Sequence, residues 1–215
     1  AEWRFAAYLG AAANRPGALR IEQPALGTRL TLGGVHYEAR SFDSPIYYGG
    51  RLGHFFRRGF GAEAEFIHLK AYALTARSVA AQGAWRGSPV DAQLPMNAFV
   101  ERYSISHGLN FLLANLVYSR PLPALPAVRW AVRLGAGPTL PHAESTVGGE
   151  SREGYQLGRP ALHAAAGIGL RLWKRVHAIT EYKHTRTSQR TRIAAGNASA
   201  LFRTHHVVFG LGLSF

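Results

Sequence analysis

Residues 204–215 read THHVVFGLGLSF, and their apolar side chains alternate. Val207, Phe209, Leu211, Leu213 and Phe215 fall on one parity; Val208, Gly210, Gly212 and Ser214 fall on the other. Successive side chains of a β-strand point to opposite faces, so the segment is a strand with one greasy side and one mostly small side. A soluble sandwich would turn the greasy side to its core. A membrane barrel would turn it to lipid and leave the small side in a crowded lumen.

The same alternation recurs upstream. In residues 161–172, Leu162, Ala164, Ala166, Ile168, Leu170 and Leu172 oppose His163, Ala165, Gly167, Gly169 and Arg171. In residues 128–137, Val128, Trp130, Val132 and Leu134 oppose Arg129 and Arg133. An arginine facing lipid at the bilayer midplane costs about 2–4 kcal/mol, so a barrel needs both arginines inside, and one parity holds both. Residues 177–186 put Glu181 and Lys183 together, and residues 3–12 put Trp3, Phe5, Ala7 and Leu9 together.

The totals agree with a barrel. With 215 residues, 47% of them apolar, no apolar run approaches the length of a transmembrane helix. Mean hydropathy is −0.07, as expected when lipid-facing and lumen-facing residues cancel. There is no cysteine, so neither disulfides nor thiolate chemistry enter. The chain starts at Ala1 without a basic-then-apolar leader, which predicts a removed export signal.

Connections alternate short (57–59, 120–127, 173–176) and long (13–45, 74–107, 138–160, 187–203). Short periplasmic turns and long extracellular loops are the habit of outer-membrane barrels. The expected fold is therefore all-β: an eight-stranded, antiparallel, up-and-down transmembrane β-barrel. It spans residues 1–215 as one domain, with both termini periplasmic, in the outer membrane of a Gram-negative bacterium. Residues 30–42 look like an additional strand, either a hairpin above the membrane or part of a ten-stranded barrel; eight is the preferred count. The segment 108–119 is read with Leu109, Phe111 and Leu113 facing out and Asn110 in, and the opposite parity of Asn115 asks for a bulge between the two asparagines. His68 and Lys70 break the parity of Glu63 and Glu65, which asks for a bulge or for a strand end beyond the bilayer. The rival fold is a soluble β-sandwich or lipocalin-type barrel.

An eight-stranded lumen is just filled by side chains, so a conducting pore is not expected. Glu63, Glu65, Arg129, Arg133, Arg171, Glu181 and Lys183 then form a buried charge network holding both signs. Net charge is +13, and much of it falls in segments read as loops. That placement suits outer-membrane lipid and lipopolysaccharide phosphates better than nucleic acid, with Arg186, Arg190, Arg192 and Arg203 as the candidate phosphate ligands. His36 with Glu38, and His142 with Glu144, are i,i+2 pairs that share a strand face. Imidazole with carboxylate suits a divalent metal (Fe, Mn or Zn), and His68 and His107 are expected at the same extracellular level. His54, His177, His205 and His206 are placed near the periplasmic rim or at strand ends.

An ordered set of segments carries a resemblance: FDSPIYYGGRLGHFF (42–56), EFIHLKAYA (65–73), HGLNFLLANLVY (107–118), GAGPTLPHAE (135–144), EYK (181–183) and the terminal strand. Together they resemble small OmpA-like barrels of the lipid A oxidase-like group. The terminal strand also resembles the C-terminal signal by which outer-membrane barrels are recognised for assembly, except that Val208 stands where a polar residue is usual. The resemblance implies oxygen-dependent conversion of the proximal glucosamine of lipid A to 2-aminogluconate. The alternative is a non-enzymatic barrel that binds lipopolysaccharide or a surface partner through basic extracellular loops.

Overall fold

The computed structural model describes residues 2–215 and consists of one antiparallel sheet. Its sixteen strands are β1 (Glu2–Asn14), β2 (Gly17–Gln23), β3 (Thr28–Val35), β4 (Tyr37–Glu38), β5 (Tyr48–Phe55), β6 (Phe60–His68), β7 (Ala71–Ala73) and β8 (Ser78–Trp85), continued by β9 (Ser88–Pro95), β10 (Val100–Leu122), β11 (Leu125–Gly137), β12 (Thr139–Val147), β13 (Glu150–Tyr155), β14 (Ala161–Arg171), β15 (Val176–Ile193) and β16 (Gly196–Ser214). Eight of them close a ring in the order β1-β5-β6-β10-β11-β14-β15-β16, and β16 pairs back onto β1 from Arg4↔Ser214 to Asn14↔Thr204. Closure leaves no unpaired edge at membrane depth, which is why a sheet can sit in lipid at all.

The outer face of the ring is apolar over the lower part of every strand. Phe5, Leu9, Leu52, Leu116, Leu134, Leu162, Ile168, Phe209 and Leu211 are exposed, with Leu134 67% and Leu116 75% accessible. Trp3, Phe56, Phe60, Trp173 and Phe215 ring the periplasmic end as an aromatic girdle. Inside, Arg51, Glu63, Glu65, Asn115, Arg133, His163, Glu181 and Lys183 are buried. Soluble-protein logic is inverted here, because lipid takes the apolar face and the lumen takes the charges.

Above the lipid belt the pattern reverses on the same strands. Ile193, Ala198, Ala200 and Phe202 of β15 and β16 point inward, while Arg190 and Arg192 point outward. The hairpins β2–β3 and β8–β9 add to the β16 side of the wall, and β12–β13 continues from β11. Leu19, Ile21, Leu30, Leu32, Val79, Tyr103, Ile105 and Phe202 fill the space between them as an apolar core. Water on the outside restores the usual arrangement, polar out and apolar in.

Several expectations change accordingly. Leu109, Phe111 and Leu113 face inward, all at most 3% exposed, while Leu112 and Leu116 face lipid. Pairing of β10 with β6 runs in unbroken register from Phe111↔Ile67 to Tyr118↔Phe60, so no bulge separates Asn110 from Asn115; the irregularity lies between Ile105 and Leu109. His68 ends β6 without a bulge. Residues 74–107, 138–160 and 187–203 are not loops but the hairpins β8–β9 and β12–β13 and the upper reaches of β10, β15 and β16. Residues 30–42 contribute β3 and β4 above the membrane, and the barrel keeps eight strands.

A candidate metal centre on the outer rim

Where β11 gives way to β12, the strand leaves the lipid belt. Leu140 is still exposed and apolar; two residues on, His142 occupies the same face, followed by Glu144. Register places Glu144 opposite Ser104 of β10, and the irregular stretch between Ile105 and Leu109 brings His107 over it. His107, His142 and Glu144 each offer a ligand atom, all within 4.8 Å of one another. His107 Nδ1 lies 3.3 Å from Glu144 Oε1, and His142 Nδ1 lies 3.7 Å from it. The two imidazoles meet edge to face with centroids 4.7 Å apart, and Tyr155 of β13 packs its ring on His142 at 4.5 Å.

The surroundings prepare Glu144 as an anion. Ser106 Oγ and Arg102 both donate to its carboxylate. Burial opposes ionisation, but the Ser106 hydroxyl and the charges of Arg102, His107 and His142 outweigh it and hold the carboxyl below its usual range. His142 Nδ1 is buried with no hydrogen-bond partner, an arrangement that a bound cation would complete. Two ligands at metal–ligand distances of about 2.0–2.2 Å stand roughly 3–3.5 Å apart, close to the spacings around Glu144. Two imidazoles and one carboxylate on one side leave coordination positions open, so the donor set fits a divalent ion.

Of the six candidate ligands, three meet. His68 is a neighbour outside the cluster. Its ring stacks on Tyr48 at 5.0 Å, and its Nδ1 pairs with Asn110 Oδ1 at 2.8 Å. Gly108 passes close over it, where a Cβ would run into the His68 ring and Asn110. His36 and Glu38 stand apart: β4 pairs with β7, and Glu38 is turned to Arg40 at 3.4 Å. An i,i+2 pair guarantees a shared face but not a third ligand, and only one of the two pairs found one. Ser106 and Arg102, which hold Glu144, were missed because nothing local ties them to residue 144.

In the lumen, Arg133 bridges Glu63 and Glu181, Arg51 pairs with Glu181 at 2.9 Å, and Lys183 joins Glu65 at 2.6 Å to Glu181 at 2.5 Å. Tyr8 and Asn115 also donate to Glu65. Arg171 is not in this network; it sits exposed at the periplasmic end of β14. Arg129 is half-buried and makes no ion pair among the described residues. His206 is fully buried between Tyr47 and Thr185, not at a rim. His54 and His177 are periplasmic, and His205 lies on the outer wall beside Tyr182 and Arg15. Arg186, Arg190, Arg192 and Arg203 stand on the strand wall of β15 and β16, not on loops.

The closed ring, the lipid-facing belt and the charged lumen can be set beside solved structures. The outer membrane protein OprG of Pseudomonas aeruginosa superposes with a TM-score of 0.53 at 11% identity, covering 100% of this chain and 95% of that one. The outer membrane protease OmpT of Escherichia coli gives 0.52 at 9% identity, covering 100% and 97%. The chain has an outer-membrane β-barrel fold. Neisserial surface protein A is also similar, with a TM-score of 0.46 at 12% identity over 100% of this chain and 97% of the other. No family model matches the sequence, and none of the curated proteins does. The barrel's belt and girdle seat it in the outer membrane of a Gram-negative bacterium.

Proposed function

We propose that this barrel modifies lipid A oxidatively, using a divalent metal held by His107, His142 and Glu144. The supporting observation is the position of the cluster: three ligand side chains converge on the outer wall at the edge of the lipid belt, not in the lumen. A lipid A headgroup in the outer leaflet stands at that height, beside Leu140, Tyr155 and Leu157, which are exposed. A shallow groove of about 170 Å³ runs from Glu144 past Thr146 and Ser151 to Arg152 and Glu153, with hydroxyls and charges of both signs to meet a sugar.

The reaction is a two-electron oxidation at the hemiacetal carbon of the reducing-end glucosamine. Two electrons and two protons pass to dioxygen, giving hydrogen peroxide and a lactone that water opens to the aminogluconate. A redox-active ion, Fe or Mn, supplies the electron transfer when bound. Glu144 is kept ionised and oriented by Arg102 and Ser106, while Tyr155 holds the His142 ring in place. The test is metal analysis of protein purified without chelator, with mass spectrometry of lipid A incubated with it in air. Stoichiometric metal and a gain of one oxygen atom, both lost in His142→Ala, are expected. Metal-free protein that leaves lipid A unchanged would sink the reading.

A second reading rests on a different wall. Arg186 faces Arg203 across the β15–β16 ladder, with Arg190, Arg192, Arg15 and Arg20 on the same outward side. Glu22 answers Arg190 at 3.4 Å. Each cation near an anionic lipid surface contributes about 1 kcal/mol, so this wall suits lipopolysaccharide phosphates without any chemistry. Loss of co-purifying lipopolysaccharide in Arg186→Ala/Arg203→Ala, with inactive wild type, would favour it.

A further inference from the structure

The opposite end of the barrel holds a site that neither reading uses. At the periplasmic mouth of the lumen, a cavity of about 80 Å³ is lined by Arg4, Arg129, His177, Ser119 and Ser214, and floored by the ion-paired cluster of Arg51 and Arg133 with Glu63 and Glu181. That is room for several waters or for one small oxyanion. Its glycine wall makes the space. Gly169 and Gly212 line it, and a Cβ on Gly169 would meet nothing closer than 3.7 Å.

Charge around the cavity is not balanced. Arg51 and Arg133 are satisfied by Glu63 and Glu181, and Arg4 by Glu2 at 2.6 Å. Arg129 has no carboxylate partner among the described residues; one of its guanidinium nitrogens reaches the Ser119 carbonyl at 3.4 Å. Its Nε is buried with no hydrogen-bond partner at all. Arg133 and Arg129 share a parity on β11, so the lumen's alternation forces this arginine inward whether or not a carboxylate awaits it. A half-buried guanidinium with an orphaned N–H is costly unless something accepts from it.

We propose that the periplasmic mouth is a binding site for a free, phosphate-sized oxyanion, with Arg129 as its principal ligand and Arg4 and His177 beside it. The guanidinium fork is matched to tetrahedral and carboxylate oxyanions, and the cavity admits one such group from the periplasm. The site is independent of the rim cluster, lying at the other end of the barrel axis.

The experiment is isothermal titration of inorganic phosphate into the full chain in zwitterionic detergent. Saturable, one-to-one binding is expected, weakened about 10- to 100-fold in Arg129→Gln, the loss of one charge-assisted contact. Arg77→Gln, on the exposed extracellular surface just before β8, should bind as wild type does. Gly169→Val fills the cavity without touching a charge and should also abolish binding; heat-modifiable gel migration establishes that each variant is folded. No saturable binding, or binding that survives in both Arg129→Gln and Gly169→Val, would overturn the assignment. So would binding lost in Arg77→Gln instead, or binding of phosphatidylglycerol but not of free phosphate.

Discussion

Glu181 shows how a single residue governs the lumen. Its carboxylate accepts from Arg51 at 2.9 Å, from Lys183 at 2.5 Å and from Arg133, and the residue is 3% exposed. Removing one partner of a buried ionic set costs about 3–5 kcal/mol, because the remaining charges stay buried without compensation. Glu181→Gln should therefore lower the urea unfolding free energy in lipid by about that amount, while leaving β-sheet content unchanged. A loss within a few tenths of a kcal/mol would mean that water reaches the network. The inward parity of Glu181, Lys183, Arg133 and Glu63 was legible from alternation alone. Arg51 was not, because Gly49, Gly50 and Gly53 around it carry no side chains to mark a parity.

At the scale of the strand, the same pleat serves two solvents. On β16, Phe209 and Leu211 face lipid, whereas Ala200 and Phe202, on the opposite parity, face the extracellular core. The pleat never changes phase; the apolar parity does, when the strand leaves the bilayer. That switch is why 187–203 reads as a loop and why Leu109, Phe111 and Leu113 read as lipid-facing. A reader assuming one apolar face per strand loses the pattern where the faces exchange roles. Position along β16 should then set the cost of a charge. Leu211→Arg, near the middle of the belt, should destabilise by about 2–4 kcal/mol, and Leu201→Arg, above it, by about 0–1 kcal/mol. Equal costs in a vesicle-folding titration would misplace the belt.

The whole molecule is a filled tube. Charges pack its membrane section and Leu19, Ile21, Leu32, Ile105, Phe111 and Phe202 pack its extracellular section, so no continuous water path runs along the axis. In planar bilayers the protein should give no stable conductance steps; reproducible open levels would contradict the packing. What the sequence determined by itself was the barrel class and most of the inward charges, Arg171 excepted, because every strand meets the same two environments in turn; closure and the choice of eight strands over ten came from the pairing. The candidate site was legible only in part. His142 and Glu144 share a face by spacing, but His107 joins them through an irregularity in β10 thirty-odd residues away, and His36 and Glu38 were carried elsewhere by the pairing of β4 with β7. Which side chains meet across strands depends on register, and register is set by long-range pairing and turn geometry that no short stretch of chain contains. The tertiary structure alone decided that the candidate metal ligands and the arginines occupy different walls, and that Arg129 is left facing a cavity without a carboxylate in ion-pair range among the described residues.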